Sequence, residues 1–255
     1  MNPKTRERWA PIVTAAALLL LWQLVCSVFG IADYIFPSPL TIAQAVLQYA
    51  GPIGEAAWKT FWVTMLGFGI SIVVGVLLGF LVGSSRLAYA ALYPLLVGFN
   101  AVPKAAIVPI LIVWFGIGLG PGILTAFLIS FFPITVNIAT GLATLEPELE
   151  DVLRVLGAKR WDVLIKIGLP RSMPYFYGSL KVAITLAFVG TTVSEMTAAN
   201  EGIGYLLISA GSSMQMGLAF GGLIVIGAMA MIMYELFAVI EKRTTGWAHR
   251  SAGGA

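Results

Sequence analysis

Long apolar runs, separated by short polar segments, dominate the pattern of hydrophobic and polar positions in this chain. A helix needs about 20 apolar residues to cross a bilayer. Six runs reach that length, at 10–30, 58–83, 87–115, 119–143, 174–199 and 216–240. The third run contains Pro94, Pro103 and Pro109, which predict a kinked or split span because proline lacks a backbone N–H. The pattern predicts an all-α polytopic membrane protein with one transmembrane domain over residues 1–255.

Composition agrees with this prediction and excludes soluble classes. Hydrophobic residues make up 59% of the chain and charged residues 11%, whereas soluble domains carry about 25% charged residues. The net charge of +3 comes from scattered Lys and Arg, which form no basic stripe for nucleic acid. A single cysteine, Cys26, excludes an internal disulfide, and with only one histidine, His249, no metal site is predicted.

The distribution of basic residues predicts which side of the membrane each loop faces. Basic residues accumulate in cytoplasmic loops, and 12 of the 15 Lys and Arg residues fall on one side of the six runs. This count places both termini and the loop 144–173 in the cytoplasm. The 12 residues are Lys4, Arg6, Arg8, Arg86, Arg154, Lys159, Arg160, Lys166, Arg171, Lys242, Arg243 and Arg250.

The second run carries a ridge of small residues at every fourth position, formed by Gly67, Ser71, Gly75, Gly79 and Gly83. Such a ridge makes one flat helix face that another helix can approach closely. Packing within the chain is the ordinary explanation. A seam between two copies of the chain is the alternative.

The loop 144–173 contains a charged, amphipathic island in an otherwise apolar sequence. Its apolar positions recur with helical spacing up to Gly157, which is suited to end the helix in a left-handed conformation. A second short helix has an Asp162–Lys166 pair four residues apart, and Pro170 and Pro174 are predicted to end it before the next span. This two-helix element must pack on the chain, lie on the bilayer or fill a groove on a partner.

The spacing of residues in this island resembles the EAA motif of permease subunits of bacterial ABC importers. The matching positions are Asp151-Val152-Leu153, Gly157, Ile167 and Leu169-Pro170, with Asp-Val-Leu in place of Glu-Ala-Ala. The segments 94–118 and 194–207 and the tail LFAVIEKRTTGW are similar to the nitrate/sulfonate/taurine branch of these permeases. That branch also includes transporters of pyrimidine precursors and aromatic acids.

The resemblance implies the type I ABC importer permease fold, with the island as the coupling helix that enters a groove on an ATPase subunit. It implies two ATPase subunits, a second permease copy, most simply an identical one, and a periplasmic solute-binding protein, in a bacterial inner membrane. ATP and Mg would bind the ATPase, since this chain has no Gly-x4-Gly-Lys-Ser/Thr loop and is not expected to be an enzyme. The expected ATPase-coupling residues are Glu150, Asp151, Val152, Leu153, Arg154, Leu156, Gly157, Ala158, Lys159, Arg160, Trp161, Ile167, Leu169 and Pro170.

Polar side chains within the spans are the candidates for a translocation pathway, because a charge at membrane depth is costly and usually faces a cavity or a partner. Lys104 could attract an anionic substrate, pair with a carboxylate, or snorkel to an interface from a helix break. Glu195 could pair with Lys104, gate the cavity, or lie near the headgroups. The full set is Asn100, Lys104, Asn137, Thr191, Thr192, Ser194 and Glu195, whereas Lys181 and Glu235 are expected to snorkel.

Glu201-Gly202-Ile203-Gly204 predicts a tight turn on the side opposite the termini. The resemblance places Glu201, Gly202 and Gly204 where the binding protein docks. A secondary transporter or channel that works without ATP is the main rival, and it would require ion-coupling carboxylates, of which Glu195 is the one serious candidate. The expected cargo is a small anionic solute such as a sulfonate, nitrate or organic acid, with a pyrimidine or vitamin precursor as the alternative.

Overall fold

A computed structural model describes residues 3–143 and 168–245, together with Val155, Gly157, Asp162 and Lys166. The described helices are α1 (Pro3–Phe29), α2 (Pro39–Gln48), α3 (Ala50–Gly83), α4 (Arg86–Ala101), a 3₁₀ turn (Lys104–Ile107), α5 (Val108–Phe115), α6 (Leu119–Ala143), α7 (Leu169–Ala198), α8 (Ile203–Ser212) and α9 (Met216–Thr244).

The helices confirm the predicted spans in number and, in most cases, in position. Within the described residues, five helices are long and apolar enough to cross a membrane, and the bent pair α4–α5 makes a sixth. That pair bends by 73° between Ala101 and Lys104, which confirms the break predicted from the prolines of the third run. Helix α6 has the predicted limits, whereas α3 begins eight residues earlier than expected.

The start of α7 corrects one prediction. Pro170 and Pro174 were expected to end a helix before the span, but both lie inside α7, which begins at Leu169. Pro170 falls in the first turn, where a missing N–H leaves no hydrogen bond unmade. Prolines near a helix start are therefore compatible with the span, and they do not mark its boundary.

Two ten-residue helices, α2 and α8, were not predicted because both are too short to register as spans. The Ser38 side chain accepts a hydrogen bond from the N–H of Thr41 at 3.3 Å, and Pro39 occupies the first turn of α2. Both features are typical of helix starts. Helix α8 follows Gly202, whose φ of 96° places it in the left-handed region.

The core of the molecule is the contact of α6 with α3 on one side and α7 on the other. The small-residue ridge of α3 faces α6: a Cβ added at Gly79 would lie 2.7 Å from the Cβ of Ile138, and one at Gly75 would lie 2.9 Å from that of Ile134. Ser71 and Ser130 also form a hydrogen bond of 2.6 Å across this contact. The ridge therefore serves packing within the chain, and the alternative of a seam between copies is wrong.

Helix α8 packs on α3 and α9 through a second apolar cluster at one end of the bundle, which we call the α8 end. Its buried members are Ile53, Ala56, Ile203, Leu206, Leu207, Ala210 and Ala219. Helix α1, in contrast, exposes most of its large apolar side chains. Such a helix suits a lipid-facing position, because the bilayer core is as apolar as the side chains themselves.

Candidate functional site

Among the residues that the structure describes, one basic and one acidic side chain lie buried within the spans: Lys104 in the bend after α4 and Glu195 in α7. Their relative exposures are 9% and 5%. A charged group at this depth requires partners, since the bilayer core supplies no hydrogen bonds. The partners of each group therefore show what its position can do.

Glu195 finds its partners on two other elements. Its carboxylate accepts hydrogen bonds from the Thr60 hydroxyl of α3, at 2.8 Å and 2.9 Å to the two oxygens, and from the N–H of Gly204 in α8 at 2.9 Å. The Thr60 oxygen in turn accepts the N–H of Ile203 at 2.8 Å. These four residues, Thr60, Glu195, Ile203 and Gly204, are called the Glu195 clamp below.

The clamp supplies hydrogen-bond acceptors to the first N–H groups of α8. The first N–H groups of a helix have no partner within it, and the residue before α8 is Gly202, which has no side chain to cap them. Thr60 and Glu195 accept two of these N–H groups from outside. A negative charge is also favoured at this end of a helix by the helix dipole.

A second polar contact joins α3 to α7 one turn further into the bundle. Thr64 and Thr191, both fully buried, are linked by a hydrogen bond of 2.9 Å between their hydroxyls. Sequence reasoning named Thr191 but missed Thr60 and Thr64. The available signal was their spacing of four residues on one face of an apolar run, but a threonine can satisfy its hydroxyl within its own helix, so the signal is weak.

Gly202 and Gly204 have no side chain and so leave the space that the clamp requires. A Cβ at Gly202 would lie 2.6 Å from Oε2 of Glu195, and one at Gly204 would lie 2.6 Å from the Cβ of Glu195 and still closer to the carbonyl oxygen of Thr192. Both glycines are buried, and Gly202 also lines a recess beside Glu201. The docking role of Gly202 and Gly204 stays a prediction. Glu201 is exposed and stays a prediction for docking.

Lys59 and Glu201 form an ion pair of 2.5 Å next to the clamp, with 46% and 59% of their side chains exposed. The pair borders two recesses at the α8 end. One, of about 290 Å³, is also lined by Ser194 and Glu195. The other, of about 450 Å³, is bordered by Glu55 and Tyr205.

Lys104 is held by its own span. Its Nζ donates hydrogen bonds to the backbone oxygen of Asn100 and, at 3.0 Å, to the side-chain oxygen of Asn100, and it lies 5.6 Å from the centre of the Phe99 ring. The predicted pair with Glu195 is wrong, since each group has other partners. Lys104 does lie at the predicted helix break, where its ammonium group caps the end of α4. Its snorkelling to an interface stays a prediction.

The remaining polar candidates bond locally. Asn137 donates to the backbone oxygen of Pro133 at 2.8 Å, and Thr192 donates to that of Phe188 at 2.8 Å. Ser194 is buried. Their place in a pathway stays a prediction. Lys181, expected to snorkel, instead forms a 2.6 Å ion pair with Glu241 of α9.

Most of the predicted coupling residues lie outside the described residues. These are Glu150, Asp151, Val152, Leu153, Arg154, Leu156, Ala158, Lys159, Arg160, Trp161 and Ile167. Two predicted features of the island fall on described residues and are confirmed: Gly157 has a φ of 85°, and Lys166 pairs with Asp162 at 3.0 Å. Leu169 and Pro170 form the start of α7.

Residues 71–246 match the family model of the binding-protein-dependent transport system inner membrane component. The chain belongs to this family. The match includes the whole segment 144–173, and so the resemblance seen in the island is confirmed at the level of the family. The residues that this permease uses to contact partners are a separate question.

Relatives of the permease cover most of its length. A probable ABC transporter permease protein of Haemophilus influenzae is 34% identical over 88% of this chain and 91% of its own. The formylaminopyrimidine transport permease protein of Halalkalibacterium halodurans is 31% identical over 76% and 78%. The taurine transport system permease protein of Escherichia coli is 26% identical over 96% and 92%, in agreement with the branch named from the sequence.

The fold of the permease is that of an ABC importer permease. A chain of the MetNI methionine ABC transporter, in an inward-facing conformation, superposes with a TM-score of 0.64 over 82% of this chain and 98% of that chain, at 16% identity. At that identity the likeness shows the fold alone.

Proposed function

We propose that two copies of this permease form the translocation pathway of an ATP-driven importer for a small anionic solute. A periplasmic binding protein delivers the solute at the α8 end, and two ATPase subunits bind the island within the loop 144–173 on the cytoplasmic side, where both termini also lie. ATP and Mg bind the ATPase subunits, which carry out the hydrolysis. Membership of the binding-protein-dependent transport family is the observation that carries this assignment.

The anionic class of solute is supported by Lys104. An ammonium group has three donors, and Asn100 supplies acceptors for two of them. In the described part of the chain no carboxylate pairs with Lys104, although burying an unpaired charge is costly. An anion that passes the bend would meet a cation with one donor left to offer, and Asn100 would hold that cation in place.

The names of the relatives include one cargo of this class and one outside it. Taurine, the cargo named for the Escherichia coli relative, carries a sulfonate. Formylaminopyrimidine, named for the Halalkalibacterium halodurans relative, is the alternative cargo and carries no fixed negative charge. Direct binding of both compounds to the partner binding protein, measured by calorimetry, distinguishes them.

The assignment to an ATPase-coupled importer is tested best at Gly157. Its φ of 85° lies in the left-handed region, and a Cβ at this position would meet no atom within 4 Å. Val at Gly157 therefore strains the backbone of the island without a clash, because β-branched residues avoid positive φ. We expect Gly157→Val to insert and fold, to lose co-purification of the ATPase, and to lose ATP-driven uptake.

Gly30 provides the matched control. It too has a positive φ, 59°, and no neighbour within 4 Å, but it lies at the opposite end of α1 from the N-terminus. Gly30→Val should therefore carry similar strain and keep the ATPase. Equal loss in both variants, or normal co-purification with Gly157→Val, contradicts the coupling role of the island.

The rival, a transporter or channel that works without ATP, makes an opposite prediction. Vesicles that contain the permease alone would then take up solute along an ion gradient. We expect no uptake unless the ATPase, the binding protein and ATP are all present.

A further inference from the structure

We propose that Glu195 is a positioning residue that locks the start of α8 onto α3, so that α3, the end of α7 and α8 move as one body during transport. The movement during transport rests on the proposed function, whereas the contact that locks α8 onto α3 is a property of the fold. In this proposal Glu195 holds helices together, and it has no gating or ion-coupling role.

The first support is the closed set of hydrogen bonds in the clamp. Thr60 has one proton, which it gives to Glu195, and it accepts the N–H of Ile203 with a lone pair. Gly204 gives its N–H to the same carboxylate. Each of these groups is buried, so opening the contact would leave several polar atoms without partners in an apolar setting.

The second support is the close backbone approach around the carboxylate. Gly202 and Gly204 leave no room even for a methyl group beside Glu195 and Thr192. Elements packed this closely either stay in contact or separate, and their contact deforms little between these two arrangements. The contact of Thr64 with Thr191 extends the same junction by a turn.

The third support is the contrast with the bent span. In α4 no residue is fully buried, and α5 is followed by Gly116 and Gly118, with φ values of 77° and 141°. These two glycines join α5 to α6, at the other end of α5 from the 73° bend, and they form a connection that can change its dihedral angles at low cost. Motion between inward- and outward-facing states is therefore assigned to α4–α5 relative to the locked body.

The lock is tested by thiol labelling in the assembled complex. Ile203 is fully buried under the clamp, so Ile203→Cys should react slowly with a water-soluble maleimide. Adding Glu195→Ala should raise that rate about tenfold, whereas Thr60→Val, which keeps the side-chain shape, should raise it less. An unchanged rate at position 203 in both variants overturns the lock.

Cys26 is a built-in control for general unfolding. It is a buried cysteine in α1, away from the clamp, and mass spectrometry of the labelled peptides reports both sites in one sample. Its rate should stay the same when the rate at position 203 rises. If both rates rise together, Glu195 contributes to global stability only and the positioning role is wrong.

Movement as one body is tested with a reducible cross-link. Lys59→Cys and Glu201→Cys, joined by a short bifunctional thiosulfonate, tie α3 to the start of α8 across the positions of the present ion pair. We expect ATP-driven uptake in liposomes to stay within about twofold of that of the same variant after reduction. Uptake that is lost on cross-linking and restored by reduction shows that the two elements separate, which overturns the inference.

Failure of the proposed function gives a different result. The complex with no substitution would then show no ATP-driven uptake, while the labelling rates at position 203 would still report whether Glu195 locks α8. Lys59→Cys and Glu201→Cys made separately and treated with the same linker control for modification without a cross-link between these positions.

Discussion

Lys104 and Glu195, the two buried charges in the described part of this permease, find their hydrogen-bond partners in opposite ways. Glu195 is bonded to residues that are 135 and 9 positions away in sequence, on α3 and α8. Lys104 is bonded only four positions away, to Asn100 at the end of its own helix segment, among the hydrogen bonds that the structure describes. One group joins elements to each other, and the other stabilises the end of a single segment.

This difference distinguishes a residue that holds the fold together from a residue that is free to contact solute. A buried group that satisfies several elements at once cannot change partners without breaking the packing between them. A buried cation held by one neighbour can interact with a passing ion and keep its place. Glu195 therefore belongs to the fold, whereas Lys104 is the candidate for contact with solute.

The largest effect on the Glu195 side of this comparison is expected for Gly204→Ala. The added methyl group would overlap backbone and side-chain atoms of α7, and overpacking of this kind costs about 1–3 kcal/mol. We expect a loss near the top of that range in thermal unfolding in detergent. Gly211→Ala, in the same helix but with no neighbour within 4 Å, should be neutral or slightly stabilising. Equal shifts in the two variants contradict the close approach.

Glu195→Ala should come next. It leaves the Thr60 hydroxyl and the Gly204 N–H buried without an acceptor, at a cost of about 1–3 kcal/mol. Thr60→Val should be destabilising alone and should add little to Glu195→Ala, because both changes break the same contact. Unfolding of the two single variants and the double variant measures this coupling, and simple additivity would count against the clamp.

Lys104→Met should change solute uptake more than it changes the free energy of unfolding. Few contacts with other elements are lost, so we expect unfolding to change by less than about 1 kcal/mol. Hydrogen bonds to charged groups contribute about 1.5–3 kcal/mol, so half-maximal uptake should need roughly ten- to hundredfold more anionic solute.

Lys181→Met is the control for removing a partly buried lysine. It breaks the ion pair with Glu241 and should lower stability with the solute dependence unchanged. Unaltered solute dependence of Lys104→Met would remove Lys104 from the pathway.

The smallest effect is expected for Lys59→Met. Its ion pair with Glu201 is about half exposed, and exposed pairs contribute about 0–1 kcal/mol. We expect no resolvable change in thermal unfolding in detergent. A loss as large as that of Glu195→Ala would show that the exposed pair contributes as much as the clamp to holding α8 on α3.

The spans were predictable because their signal is local. An apolar run of the right length, such as 119–143, predicts a helix whatever it packs against. The ridge of Gly67, Ser71, Gly75, Gly79 and Gly83 could also be predicted as a packing face, but its partner α6 could not, since a flat face fits any helix. The short helices α2 and α8 escaped because ten residues are too few for a periodic signal.

In the candidate site, only the residues whose burial is costly could be predicted from the sequence. Lys104 and Glu195 stood out because charged residues are rare at membrane depth. Their mutual pairing was a reasonable prediction from opposite charge, and it was wrong because nearer acceptors and donors were present in Asn100, Thr60 and Gly204. No pattern in the sequence reports which of these polar groups come together.

The sequence by itself determined the membrane class, the six runs, the break in the third run and, through the spacing of the island, the permease family. These depend on composition and on distances along the chain, which sequence records directly. The tertiary structure alone decided that Glu195 joins α8 to α3, that Gly202 and Gly204 leave space for it, and that α6 fills the ridge. Such contacts join residues that are far apart in the chain, so they exist only once the helices are packed.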